Sequence, residues 1–341
     1  MAGQAQDDAA RNAAPSLPWP EVPLTALVTP DLALEPATLA ARVELGRLLF
    51  YDTLLSGDRA TACATCHSEI WGMSDGLARS VGQGAGLLAG PGRAGGALLP
   101  RNAPALWNLV FRESLFWDGR MQGLEEQALT PLRSPEEMNR DPVEVVAELR
   151  ELPVYRDLFA RAFPDGPVPS VEHLASALAS FERSLTSLRS LYDGYVAGDA
   201  LALSDMQVEG MFRFAELGCA DCHRPPLFEA ERFAARGIGD GVDQGRYAVT
   251  ENAGDVGAFR VPSLRNAAFT GPYFHDGSVA TLDEAVRHEL SLSGLPYGEQ
   301  DVRLLVAFVR DALKDESYEP DRPQALPSGL EVPIDGTQID R

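Results

Sequence analysis

Two short words constrain this chain more than anything else in it: Cys63-Ala-Thr-Cys66-His67 and Cys219-Ala-Asp-Cys222-His223. They use all four cysteines of the 341 residues. A bare C-x-x-C is compatible with a redox disulfide or with half of a zinc site. The histidine that follows changes the chemistry. Two thiols at this spacing add to the two vinyl groups of one haem, and the adjacent imidazole then reaches the iron as an axial ligand. The chain is therefore expected to carry two covalent haems c, attached at Cys63 and Cys66 and at Cys219 and Cys222, with His67 and His223 on iron. In bacteria such attachment takes place outside the cytoplasm, so the expected location is the periplasm.

The length suits two domains of ordinary size, each with its own core. A formal net charge of −21 speaks against nucleic acid, which needs a basic footprint. The acidity fits a cationic partner such as a small basic redox protein, and equally a simple solubility role. No run of about 18 apolar residues is present, so no membrane span is expected. Residues 1–35 lack the apolar core of a signal peptide and read as an extended leader rich in Ala, Pro and Asp. An exported chain would already have lost its signal.

Helical periodicity dominates and strand signals are sparse. Residues 36–50 predict a helix with Leu45, Leu48 and Leu49 on one side. Residues 170–197 predict a long one, with Ser170 as N-cap and a stripe of Leu174, Leu178, Phe181, Leu185 and Leu188. Further helices are expected from Ser204 to Leu217 and over 299–313, the latter with Val302, Leu305, Val306 and Val309 inward. Gly-rich stretches at 82–100 and 237–257 predict long loops, and the tail after Glu316 predicts an extended arm. The fold class is mainly α: two cytochrome c-like haem domains with long loops and little β structure. After the leader, the first unit is 36–195, with the first haem, and the second is 196–341, with the second haem and the tail.

With both haem words placed, the surrounding segments LGRLLFYDTLLS, RNAPALWN, FWDGRMQGLEEQALTPL, FRVPSLRNAAFTGPYFHDG and TLDEAV become informative. In content and order the chain resembles the bacterial di-haem cytochrome c peroxidase and MauG family, from about Leu45 to Val309. The resemblance implies that the first haem reacts with hydrogen peroxide and the second transfers electrons. It implies that Trp117 lies between the haems and that Gln127, Pro131 and Glu137 line the peroxide side. It implies a calcium ion held by the Asn102 side chain and by the Thr270 and Pro272 carbonyls, and it puts His275 near the second haem. Glu137 would act as general base and then acid in O–O cleavage, with Gln127 orienting the peroxide. Outside the resemblance, Glu137 would be an ordinary solvated helix start, Trp117 a core aromatic and Asn102 a turn residue.

Two departures from the family pattern stand out. Many members block the first haem with a second histidine just after a Ser-Val-Gly word. Here Ser80-Val81-Gly82 is followed by Gln83, and no histidine lies between His67 and His173. The second concerns the other haem. Its sixth ligand in the peroxidases is a methionine, and in the methylamine enzyme a tyrosine, fourteen residues after the histidine of YFHDG. From His275 that position is Glu289, with His288 beside it, and no methionine follows Met211. Imidazole chemistry favours His288. Helix geometry favours Glu289: Thr281 and Glu284 form a capping box, and Leu282, Ala285 and Val286 begin a stripe that Glu289 continues. Either ligand implies a potential below that of a methionine-ligated haem.

Three functions fit these residues. One is reduction of peroxide with electrons from a small redox donor protein. The second is a MauG-like oxidation of a side chain in a partner protein. The third, from another class, is electron carriage without catalysis, which an open first haem and Glu137 argue against. The resemblance leaves a homodimer open.

Overall fold

The computed structural model describes residues 16–20, 34–317 and 322–336. Nine helices organise them: α1 (Pro36–Tyr51), α2 (Leu124–Arg133), α3 (Pro142–Glu151), α4 (Pro153–Ala162), α5 (Val171–Ser184), α6 (Leu191–Val196), α7 (Asp205–Glu216), α8 (Leu282–Leu292) and α9 (Glu299–Ala307). Single helical turns punctuate the loops, among them Cys63–Cys66. Among the described residues strands are only two or three residues long: β1 (Leu88–Ala89), β2 (Phe233–Ala235), β3 (Ala258–Arg260) and β4 (Ile334–Asp335). β1 pairs with β4 in parallel, and β2 with β3 antiparallel. The mainly α class with little β structure is what the sequence predicts.

Each haem word follows a helix that crosses a partner at close range. In α1, a Cβ at Gly46 would stand 1.9 Å from the Ala177 carbonyl oxygen of α5. In α7, a Cβ at Gly210 would stand 2.3 Å from the Leu304 carbonyl oxygen of α9. No side chain fits either crossing, so glycine sets the helix spacing that each core is built on. The expected inward residues Leu45, Leu48 and Leu49 of α1 are buried, as are Val302, Leu305 and Val309 near the end of the chain.

The long helix expected over 170–197 is broken. Ser170 caps α5 as predicted, its Oγ accepting from the His173 amide at 3.2 Å. After Ser184 the backbone is captured by side chains from elsewhere. Ser187 donates its amide to Asn108 Oδ1 (2.9 Å) and accepts from Asn108 Nδ2 (3.2 Å), and the Arg189 amide donates to Asp315 (3.0 Å). These bonds replace the helical ladder, and α6 starts afresh behind the cap of Ser190. The late helix also differs: α9 ends at Ala307 and widens into a π-turn over Phe308–Ala312.

Two apolar cores result. The first gathers α1 to α5; the second gathers Tyr192 and Tyr195 of α6 with α7, α9 and the π-turn. Both tyrosines precede the expected boundary at 195/196. The chain ends are exchanged between the cores. Of the expected leader, residues 1–15 and 21–33 lie outside the described residues, but Leu17 and Trp19 pack on the second core. Trp19 Nε1 donates to the Tyr192 hydroxyl at 3.1 Å, and its ring meets Phe214 and Phe228 edge-on. The tail is extended as expected but returns to the first unit. Leu326, Leu330 and Val332 join the first core, Arg322 pairs with Glu69 (2.6 Å), and Ser68 donates to buried Asp335 (2.6 Å).

Candidate functional site

The first C-x-x-C-H word forms one helical turn. Thr65 Oγ1 accepts from the Ala62 amide (2.9 Å), and the His67 amide donates to the Cys63 carbonyl (2.9 Å). This puts both thiols and the imidazole on the wall of one cavity of about 550 Å³. His67 Nδ1 lies 3.1 Å from the Met73 carbonyl, which accepts the ring proton and leaves the Nε2 lone pair free. Burial lowers the imidazole to about 4, so it is neutral, as an iron ligand must be. At the second word His223 Nδ1 is anchored in the same way, on the Phe228 (3.2 Å) and Pro262 (3.1 Å) carbonyls, and burial again lowers its pKa.

No disulfide joins the four cysteines. Burial pushes Cys63 far up and Cys66 and Cys219 to about 12. Such thiols make poor thiolate nucleophiles and poor zinc ligands. Among the described residues no three His, Cys, Asp or Glu converge as a metal site, so the zinc alternative lacks its ligand set.

Glu137, Gln127, Pro131 and Trp117 all line the first cavity. Pro131 sits inside α2, where its missing N–H leaves the Gln127 carbonyl without its helical partner. Burial raises the Glu137 carboxyl above its ordinary range, opposed by the charge of Arg120. His67 is the one histidine on this wall. Gln83 is not part of it; its amide donates to the Pro135 carbonyl (2.5 Å). The Gly-rich loop behind it is shaped by Arg93, buried and donating to the carbonyls of Val81, Gly82, Gly86 and Leu88 at 2.5–2.8 Å.

Trp117 belongs both to this wall and to that of a smaller neighbouring cavity of about 90 Å³. Its Nε1 donates to the Asn102 carbonyl (2.9 Å), and its own carbonyl accepts from the Arg260 amide (2.8 Å). Asn102, Thr270 and Pro272 meet on the smaller cavity. Asn102 also ties the two units together, its amide donating to the His275 carbonyl at 2.7 Å. The His275 ring is buried and stacks on Phe259, with centroids 3.5 Å apart; it lines neither cavity.

Glu289 and His288 diverge. The Arg236 guanidinium pairs with Glu289, Nε at 3.1 Å from Oε1. Burial is the leading influence on Cys219 and His223, and the Glu289 charge acts on both, which puts Glu289 in the neighbourhood of the second haem word. His288 turns elsewhere: its Nε2 lies 2.8 Å from the Arg236 carbonyl, and its ring meets Phe274 edge-on.

Sequence reasoning missed the basic cluster between the cavities. Arg112 and Arg260 line both, and Glu229 lies between them, 2.9 Å from Arg112 and 3.7 Å from Arg260. Two guanidiniums against one carboxylate leave buried positive charge. Arg260 is 4% exposed, burial lowers it to about 9, and its Nε has no acceptor. A buried charge of this kind calls for an anion. The carboxylate of a haem propionate is such an anion. With neutral carbonyl-anchored imidazoles, protonated thiols and a cavity in the usual range for cofactor sites, the residues fit haem c.

Comparison with known proteins agrees. The family profile of di-haem cytochrome c peroxidases matches residues 40–201. The methylamine utilization protein MauG of Methylorubrum extorquens is 35% identical over 289 residues, covering 81% of this chain and 78% of that protein. Cytochrome c551 peroxidase of Pseudomonas aeruginosa is 36% identical over 279 residues, covering 78% and 77%. The crystal structure of a MauG-like protein associated with microbial copper homeostasis superposes with a TM-score of 0.70 at 30% identity, covering 87% of this chain and 93% of that one. On this similarity and these two haem sites, the chain belongs to the bacterial di-haem cytochrome c peroxidase and MauG family, a family of two-haem enzymes.

Proposed function

We propose that this enzyme reduces hydrogen peroxide at its first haem, with electrons that enter through the second from a small, cationic redox protein in the periplasm. One observation carries the reading: Glu137 and Gln127 share the first cavity with His67, and no second histidine stands on its wall. Bound haem supplies the iron that holds peroxide and exchanges electrons. Glu137 takes the proton from the inner peroxide oxygen and returns it to the outer one. The Gln127 amide orients the peroxide by a hydrogen bond. Trp117 supplies an aromatic ring between the two sites, and Arg112 and Arg260 take the propionates. Asn102, with the Thr270 and Pro272 carbonyls, holds a calcium ion at the junction. Glu289, now paired with Arg236, is the residue that would hold the iron of the second haem opposite His223. A net charge of −21 supports a cationic donor.

The absence of methionine after Met211 favours a second version, in which peroxide-derived oxidising power passes to a side chain of a partner protein, as in a MauG-like enzyme. Peroxide added to the ferric protein, followed by reduced cytochrome c, separates them. Rapid repeated turnover supports the peroxidase. An oxidised spectrum that persists in the presence of the donor supports the partner-modifying version. No reaction with peroxide refutes both.

A further inference from the structure

Reduction of hydrogen peroxide breaks one O–O bond, takes up two electrons and two protons, and leaves two water molecules. Glu137 relocates a proton that peroxide already carries, so it adds none to the balance. Both protons must reach the cavity from another source.

Of the four carboxyls on the wall of that cavity, Asp118 and Asp243 pair with Arg101, Glu137 serves the proposed function, and Glu182 is left. It lies in the last turn of α5 and is 5% exposed. Its Oε2 has no hydrogen-bond partner. The neighbouring Arg183 pairs instead with Glu125 of α2 at 2.7 Å. Three arginines on or beside the packed elements are committed elsewhere. Arg42 of α1 donates to Ser176 and to the Ala162 carbonyl, Arg150 of α3 to the Pro169 carbonyl, and Arg112, after the turn Leu109–Phe111, pairs with Glu229. Cys63 stands near enough to feel the charges of both Glu182 and Glu137. Burial is the leading cause that drives the Glu182 carboxyl up to about 8, lessened by Arg183 and reinforced by Glu125. At neutral pH it is a carboxylic acid with a proton to give. An apolar side chain of equal size would suit the site better if packing were its only role, since a buried group without a partner is destabilising.

We propose that Glu182 is the proton donor of the first cavity, delivering the protons that convert peroxide oxygen to water, one at a time, and regaining each from solvent. This rests on the peroxide reading above. Together the two carboxyls divide the work: Glu137 must be ionised to begin the cleavage and Glu182 must be protonated to complete it. Turnover is then lost at high pH as Glu182 ionises.

The test uses the full di-haem protein and the variants Glu182→Gln and Glu182→Leu. Both should carry two haems with the resting spectrum of the parent, and both should melt no lower than it. The infrared spectrum of the parent should contain a carboxylic acid carbonyl band that shifts in D2O and disappears in Glu182→Gln. Peroxide turnover should fall roughly 10²–10⁴-fold in both variants, with the fall at high pH gone. If the parent turns over peroxide and Glu182→Gln matches it across the pH range, or if the band survives the substitution, the proposal is overturned. A parent inert to peroxide instead refutes the function on which the proposal rests. A lower melting temperature with an unaltered pH profile would show a packing role, and would also overturn it.

Discussion

Glu182 makes a stability prediction that does not depend on catalysis. Its carboxyl has an ordinary value of 4.5 when exposed and about 8 when folded. Between those values the unfolded chain has lost the proton and the folded chain has kept it. The folded value is raised, so the favourable term is fully present below pH 4.5 and is lost as pH rises towards 8. Each pH unit in that interval removes about 1.4 kcal/mol, so the whole interval removes about 5 kcal/mol from the first unit. That is a large share of the 5–15 kcal/mol typical of a domain. Glu182→Gln cannot ionise, so its stability should be flatter over this range, and at pH 8 it should exceed the parent. Guanidinium unfolding of parent and variant at pH 5 and pH 8, followed by tryptophan fluorescence, measures the difference directly. Equal losses of stability in the two proteins would refute the reasoning, because they would show that Glu182 is ionised or paired in the folded state.

Glu137→Gln should keep both haems and slow the first reaction with peroxide by roughly 10²–10⁴-fold in stopped-flow absorption. Because burial raises the Glu137 carboxyl, the parent rate should also fall as pH drops through that raised value, and this limb should vanish in the variant. Glu289→Gln should turn the second haem high-spin in ferric electron paramagnetic resonance while His288→Ala leaves it low-spin; the reverse pattern would assign the ligand to His288.

How much of this was legible in sequence depends on what kind of signal each residue leaves. The haem words fix six residues because covalent attachment and ligation demand that spacing. Gln127 and Pro131 were readable from a long family word on α2 and Glu137 from a short one just after it, and the three share one wall. Family position and helix geometry both pointed to Glu289 over His288, and on α8 the two side chains take different partners. Arg112, Glu229 and Arg260 left no trace: they come from three separate loops and strands, and only folding makes their charges adjacent. Glu182 was hidden differently. It sits beside Phe181 in an amphipathic stripe, where a carboxylate normally marks the wet edge of the helix. The break after Ser184 was missed because Leu185 continues the period, while the partners that end the helix, Asn108 and Asp315, are remote in sequence.

The exchange of flanking segments couples the two haem units. The first unit takes Leu326, Leu330 and the Ser68–Asp335 bond from a segment that follows the second unit. The second unit, in turn, holds Trp19 from a segment that precedes the first. Each unit draws part of its core from a segment on the far side of the other, so loss of either segment loosens the opposite unit. A protease cut in either terminal segment is therefore felt most by the haem unit farther away along the chain.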